Sequence, residues 1–295
     1  MPYDCIVCVK QVPDTAHVTA DAMKDDGTVN RSALPAIFNP EDLLALEAAL
    51  DVRDRYGGSV TALTMGPPKA ADVLRECLYR GADRVILLTD RRAAASDTLA
   101  TSYILSRAIR RVGQFDLVFC GRQAIDGDTA QVGPQCAEKL GIPQITYVEE
   151  IIQLCGEVME ARRATGRGWE RIEVRLPALV TVPVSAPRPR PPSARRVMRL
   201  KRARTVAELA AEHRDASAPL SQTVEAMAAL GLLIDEWSLD DIAADLGRCG
   251  LAGSPTKVHR IQSLVLTKDG HTQIPATEAG VRGLIHELIV DRTLG

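Results

Sequence analysis

The sequence lacks the signatures that usually betray a nucleotide enzyme. No G-x-G-x-x-G follows the first apolar run, and no G-x-x-x-x-G-K-[ST] occurs anywhere, which removes the dinucleotide fingerprint and the P-loop. No serine stands in G-x-S-x-G. The five histidines, His17, His213, His259, His271 and His286, are dispersed. With neither a nucleophile–base pair nor a metal set in view, the chain reads as one that positions a cofactor, and the cofactor carries the chemistry. Aromatics are scarce at 3%, against 46% hydrophobic residues rich in Ala, Val, Leu and Ile. That balance suits α/β layers better than an all-β sandwich. A formal net charge of −2 gives no global attraction to nucleic acid or to a membrane surface. No apolar run reaches the length that spans a bilayer, and MPYDCIVCVK has neither the basic lead nor the apolar stretch of a signal peptide.

Seven cysteines, an odd number scattered through 295 residues, do not make a disulfide framework, and a reducing cytoplasm is the expected location. Cys5 and Cys8 spell C-x-x-C, but they lie inside the apolar run CIVCV. Residues three apart on a strand point to opposite faces, so a redox pair is not expected there. No second such pair exists to complete a zinc site.

The chain alternates. Apolar runs at 4–9, 59–64, 84–89, 116–120 and 144–148 read as strands, with helices expected at about 40–55, 68–80, 97–112 and 128–140. Three of these helices stop at Gly81, Gly113 and Gly141. The first helix start is the clearest, at Asn39-Pro40-Glu41-Asp42, where Asn39 suits the cap, Pro40 the first helical position, and the two acids the helix dipole. Strand, helix, strand with short connections implies right-handed βαβ units. The expected fold is therefore a doubly wound, mostly parallel α/β sheet. After residue 150 the rhythm becomes antiparallel, at 150–156, 158–164 and 169–176, followed by a buried strand at 178–182. Five prolines between Pro183 and Pro192 end regular structure, and eight basic residues with no acid lie between Pro187 and Arg204. The prolines and the want of interleaved aromatics argue against nucleic-acid binding there. Residues 1–204 read as one α/β domain and 205–295 as an appended arm with helices near 205–213, 219–230 and 276–291.

In such a sheet ligands sit at the carboxyl ends of the strands. The polar clusters at those ends are Lys10 to Asp14, the Asn39–Asp42 turn, Thr64 to Pro67, Asp97-Thr98-x-x-Thr101, and the long segment Gly121 to Pro134. The last offers small residues, backbone N–H groups and hydroxyls at a helix start, a set that cradles phosphate without a lysine. Asp126 and Asp128 suit ribose hydroxyls or helix capping better than a bare phosphate. Capping alone also accounts for Asn39, Asp97 and Thr98, and Cys8 and Met65 fit a pocket wall.

Seven blocks in order, VCVKQVPD (7–14), FNPED-x2-ALEAAL (38–50), VTALTMGPP (60–68), RGADRVILLTD (80–90), CGRQAIDGDTAQVGPQ (120–135), LPALVTV (176–182) and GLAGSPTKV (250–258), resemble the electron-transfer flavoprotein β subunits. The resemblance runs over most of the chain and is thinnest between about 205 and 240. It implies an adenine-nucleotide α-hydrolase-like fold and a heterodimer with an α subunit that carries FAD. It also implies an adenine cofactor in this chain: structural AMP in ordinary members, or a second FAD that accepts hydride from NADH in electron-bifurcating ones. The implied cofactor contacts are Cys8, Asn39, Pro40, Glu41, Asp42, Met65 and residues 126–137. With the strand-end candidates Lys10, Asp97, Thr98, Thr101 and Arg122, the candidate set closes on Asp126, Gly127, Asp128, Thr129, Ala130, Gln131, Val132, Gly133 and Pro134. DGDTAQVGP and Asp97-Thr98-Leu99-Ala100-Thr101-Ser102 are similar to the bifurcating branch, which favours FAD here and implies ferredoxin or flavodoxin, and a dehydrogenase or quinone-linked acceptor, as partners. Two features depart from the family. Gly166-Arg167-Gly168 replaces consecutive acids in a hairpin, and Ala194 replaces a leucine anchor in the docking loop of about 184–204, which implies a different partner or a different mode of docking. In the family the C-terminal segment embraces the α subunit. The rival readings are a non-bifurcating, AMP-holding β subunit and a universal-stress-type nucleotide module.

Overall fold

The fold is described from a computed structural model, which describes residues 1–14, 34–213, 219–256 and 273–290. Much of the loop expected up to Asn30, the histidines His17, His259 and His271, and the end of the 250–258 block lie outside those residues. The chain divides into two compact units, Met1–His259 and Arg260–Gly295.

The first unit is built on a seven-stranded, wholly parallel sheet in the order β12-β5-β4-β1-β6-β11-β7. Its strands are β1 (Cys5–Cys8), β4 (Val60–Met65), β5 (Arg84–Leu88), β6 (Leu117–Gly121), β7 (Gln144–Ile145), β11 (Ala178–Val182) and β12 (Asp235–Trp237). Every residue of β1, β6 and β11 is buried, as a strand covered on both faces must be. On one face pack α1 (Pro40–Tyr56) and α2 (Ala71–Arg80), and on the other α3 (Thr98–Val112) and α4 (Val132–Leu140). Cys5 belongs to the first core and Cys8 to the second, as strand alternation requires of residues three apart. The chain runs outward from β1 through β4 to β5, then returns to place β6 on the other side of β1. That reversal opens a crevice at the carboxyl ends of β1 and β6.

Short strands β2 (Gln11–Pro13) and β3 (Ala36–Phe38) form an antiparallel pair beside the sheet. The antiparallel extension is a three-stranded sheet of β8 (Val148–Cys155), β9 (Val158–Thr165) and β10 (Gly168–Arg175), with turns at Gly156 and before Gly168.

Four local readings are corrected. Helix α4 starts at Val132, not at 128: Asp128 and Ala130 hold φ of +51° and +53°, which no α-helix accommodates. Helix α2 proper starts at Ala71, after a 3-10 turn at Pro68–Ala70. Strand β7 has only two residues. The basic run is not all loop, since α5 (Ala194–Leu200) packs on α2; Arg196 donates to Leu78 O at 2.8 Å and Ala82 O at 2.7 Å, answering carbonyls at the end of α2.

Beyond it come α6 (Val206–Glu212), capped by a reciprocal Thr205–Glu208 pair, and α7 (Leu220–Ala229). Strand β12 then rejoins the main sheet beside β5, where Arg84 and Arg111 lie over the Trp237 ring at 5.6 and 4.9 Å. In the second unit, α8 (Glu278–Val290) has no buried residue among those described. No helix among the described residues is long and apolar enough to cross a membrane.

Candidate functional site

The crevice at the switch point is a cavity of about 380 Å³, within the range of small-molecule sites. Its walls are the ends of β1 (Cys8, Val9, Lys10), β4 (Met65) and β6 (Cys120, Gly121), the turn from Ala93 to Thr98, Thr101 and Leu105 of α3, and the loop from Arg122 to Gly133. Cys8 and Cys120 sit opposite each other in register on adjacent strands, as buried thiols.

The first turn of α1 is the clamp that shapes this loop. Asn39 is fully buried, but its side chain makes no capping bond, contrary to expectation. Instead Nδ2 donates to Gln123 O at 2.8 Å, and Oδ1 accepts from Ile125 N at 3.2 Å. Buried backbone groups of the loop need partners, and this amide satisfies one donor and one acceptor. Glu41, 2% exposed, takes the Arg122 guanidinium on both oxygens and also accepts from Gln123 N at 3.1 Å. Asp42 accepts from Lys10 N at 2.8 Å and from Gly121 N at 3.1 Å, bridging the ends of β1 and β6. Burial pushes its carboxyl up to about 7, against the opposing hydrogen bonds from Asn39, Gly121 and Lys10. Gly121 is required by closeness: a Cβ there would stand 2.4 Å from Asp42 Oδ1 and 2.7 Å from Asp42 N. Gly133 is similar, since its Cβ would stand 2.9 Å from Thr181 Cγ2, so its absence lets α4 settle on the sheet.

Across the cavity, Lys10 Nζ holds both oxygens of Asp126, at 2.7 and 2.8 Å. Asp128 accepts from Gln123 Nε2 at 2.9 Å. With Asp128 and Ala130 both left-handed, Thr129 is held at the cavity wall in a backbone that costs free energy, a pattern typical of functional loops. The cap residue of α4, Gln131, makes no side-chain capping bond; the side-chain oxygen instead accepts from Thr98 Oγ at 3.0 Å. The N–H groups that open α4 are therefore uncapped beside the cavity.

The far wall is pinned from downstream. Asp97 caps α3 through Ala100 N and accepts from Thr256 N at 2.9 Å; burial opposes its ionisation, but these backbone donors outweigh it and hold the carboxyl below the usual range. Gly250 N donates to Ser96 Oγ and Asp97 N to Ser254 Oγ. The block from Gly250 to Thr256 thus acts as a strut behind the Ala93–Thr98 turn.

Of the residues singled out from the sequence, Cys8, Lys10, Asp42, Met65, Asp97, Thr98, Thr101, Arg122, Asp126, Gly127, Thr129, Ala130, Gln131, Val132 and Gly133 line one cavity. Asn39, Pro40, Glu41, Asp128 and Pro134 do not; the first, third and fourth of these hold the loop from behind. Cys120, Val9, Leu105 and the small residues Ala93, Ala95 and Ser96 went unnoticed in the sequence. Cys120 could have been found by aligning strand ends, but the alanines carry no chemical signal.

Residues 26–213 match the electron transfer flavoprotein domain family. The chain is 43% identical over 256 residues to the electron transfer flavoprotein subunit beta of Clostridium acetobutylicum, covering 86% of each chain. It is 44% identical over 265 residues to the protein of the same name from Megasphaera elsdenii, covering 88% of this chain and 86% of that one. To the protein FixA of Bradyrhizobium diazoefficiens it is 38% identical over 294 residues, 97% of this chain and 91% of the relative.

Proposed function

The chain belongs to the electron transfer flavoprotein β-subunit family, and from that premise we propose that it pairs with an α subunit and holds FAD in the cavity at the carboxyl edge of its sheet. In this reading the heterodimer takes electrons from NADH. It delivers them to a low-potential acceptor, ferredoxin or flavodoxin, and, by way of the α-subunit FAD, to a dehydrogenase or quinone-linked acceptor.

The observation that carries the reading is the convergence of one uncapped helix N-terminus, one strained hydroxyl-bearing loop and three strand ends on a single cavity. The residues present fit an adenine nucleotide. The two cavity cations, Lys10 and Arg122, are already held by Asp126 and Glu41. Phosphate recognition therefore falls to the backbone N–H groups of Val132 and Gly133, with the Thr129 hydroxyl beside them. Met65, Leu105, Cys8 and Cys120 supply the apolar wall. A flavin bound there would supply hydride acceptance and one-electron transfer. The chain's own part is to fix position, exclude water and set the local field: the Asn39–Asp42 clamp keeps the loop in place, and the Gly250–Thr256 strut keeps the far wall in place. Thr98 and Thr101, in the segment similar to the bifurcating branch, line the same cavity and support FAD over AMP.

The α-subunit contacts are assigned to the arm of residues 205–295, and docking of a partner redox protein to the loop of about 184–204. On α8, Val281, Ile285 and Ile289 recur every four residues and are exposed, an apolar stripe suited to a partner. Ala194 begins α5 on its exposed side, and Met198, one turn later, is 68% exposed.

An anaerobic titration tests the proposal. NADH should bleach the flavin of the purified heterodimer and reduce ferredoxin when a high-potential acceptor is present. Flavin that NADH leaves oxidised would reduce this chain to a holder of structural AMP.

A further inference from the structure

Asp42 lies in the wall of the cavity with both carboxyl oxygens turned to backbone donors, Lys10 N at 2.8 Å and Gly121 N at 3.1 Å. The ionised form accepts both bonds. The neutral form carries a hydroxyl on one oxygen and weakens one of them, so two protonation states compete at one site.

The groups around it decide which state a ligand favours. On its own helix stand Asn39 and Glu41, the latter paired with Arg122. From β1 comes Lys10, whose ammonium is held by Asp126 on the β6–α4 loop. From β6 comes the Cys120 thiol and from α2 the Cys77 thiol, both buried and both pushed up, so they stay neutral. The charged lining of the cavity is Lys10 and Arg122 against Asp42, Asp97 and Asp126. A phosphate thus enters a lining in which carboxylates already outnumber cations. Asp97 is held as an anion by the backbone donors of Ala100 and Thr256, and Asp126 is paired with the Lys10 ammonium. Asp42 is the member of the set that burial has already brought to about 7. An added negative charge favours its neutral form further.

We propose that Asp42 takes up a proton from solvent when a phosphate-bearing nucleotide enters the cavity, so that nucleotide affinity falls as pH rises above neutrality. The step is carboxylate plus proton to carboxylic acid, and no electron moves. It rests on the nucleotide reading of the cavity given above, and it makes Asp42 a positioning residue that reports ligand charge to the strand ends.

The test is calorimetric titration of AMP into the αβ heterodimer stripped of the β-chain nucleotide, in two buffers of different ionisation enthalpy. Working above about pH 7.5 keeps the phosphate of AMP itself fully ionised. The expected result is net proton uptake with AMP, far less with adenosine, and an affinity that falls by up to about tenfold per pH unit. Asp42→Asn should abolish the uptake and flatten the pH profile. AMP binding without proton exchange, equal uptake with adenosine, or undiminished uptake in Asp42→Asn each overturns the proposal. Should that variant not fold, the wild type decides alone: AMP must bring up a protonated-carboxyl band in the infrared difference spectrum, and its absence overturns the proposal. AMP that binds at no pH removes the nucleotide reading and this inference with it.

Discussion

Gly121→Ala places one methyl group where the structure has no room for it. The new Cβ would stand 2.4 Å from Asp42 Oδ1, 2.7 Å from Asp42 N and 2.7 Å from Glu41 C. Two of these are backbone atoms in the first turn of α1, so a rotamer change cannot relieve the clash; the helix start must back away from β6. Overpacking of that kind costs about 1–3 kcal/mol. The retreat also stretches the bond from Gly121 N to Asp42 and the Glu41 contacts to Arg122 and Gln123 N, and one lost bond to a charged group adds about 1.5–3 kcal/mol. A total near 3–5 kcal/mol corresponds to a fall in Tm of roughly 6–20 °C for a domain of this kind. Gly127→Ala is the internal control. It lies in the same cavity wall, but its Cβ meets nothing within 4 Å, so a change within about 0.5 kcal/mol is expected. Thermal unfolding of the two variant heterodimers, followed by release and quantification of bound nucleotide, makes the comparison. Equal stability and equal nucleotide content in the two variants would refute the clamp.

Glu41→Gln leaves the Arg122 guanidinium without its carboxylate at a nearly buried site; a loss of about 2–4 kcal/mol in chemical denaturation is expected, with weaker nucleotide retention. Asp97→Ala strips the cap of α3 and the bond to Thr256 N together, and should cost about 1–2 kcal/mol by the same assay. The folded-state pKa of Asp42 is raised, so the folded chain binds a proton that the unfolded chain releases. Its contribution to stability is therefore full below about pH 4 and is lost as pH rises toward about 7. Wild type should therefore lose unfolding free energy relative to Asp42→Asn as pH rises over that window; a wild type that gains on the variant, or a difference without pH dependence, contradicts the assignment.

The sheet was legible because its strands are apolar runs that alternate with helices stopped by glycine. Gly81 and Gly141 take positive φ of 138° and 73° where the sequence pattern ends their helices. What escaped was set by distance along the chain. Strand β12 is three residues long and polar at its start, and it is held by a parallel neighbour, the Arg84–Asp235 pair and two arginines over Trp237. None of these can be read locally. The start of α4 lies later than the sequence suggests because Asp128 reads equally well as a helix cap, and nothing in the identity of Ala130 announces a left-handed backbone. Asn39 looked like a cap by every local criterion, yet its amide serves a loop 84 and 86 residues away. The cavity was legible where polar residues line it and invisible where alanines do.

The cofactor content of the co-purified αβ heterodimer, measured by acid release and chromatography, tests the assignment of FAD to this chain. Two FAD per heterodimer and no AMP is the predicted result. One FAD with one AMP would contradict the assignment of FAD to this chain, and one FAD with no second nucleotide would contradict the cavity as a nucleotide site altogether.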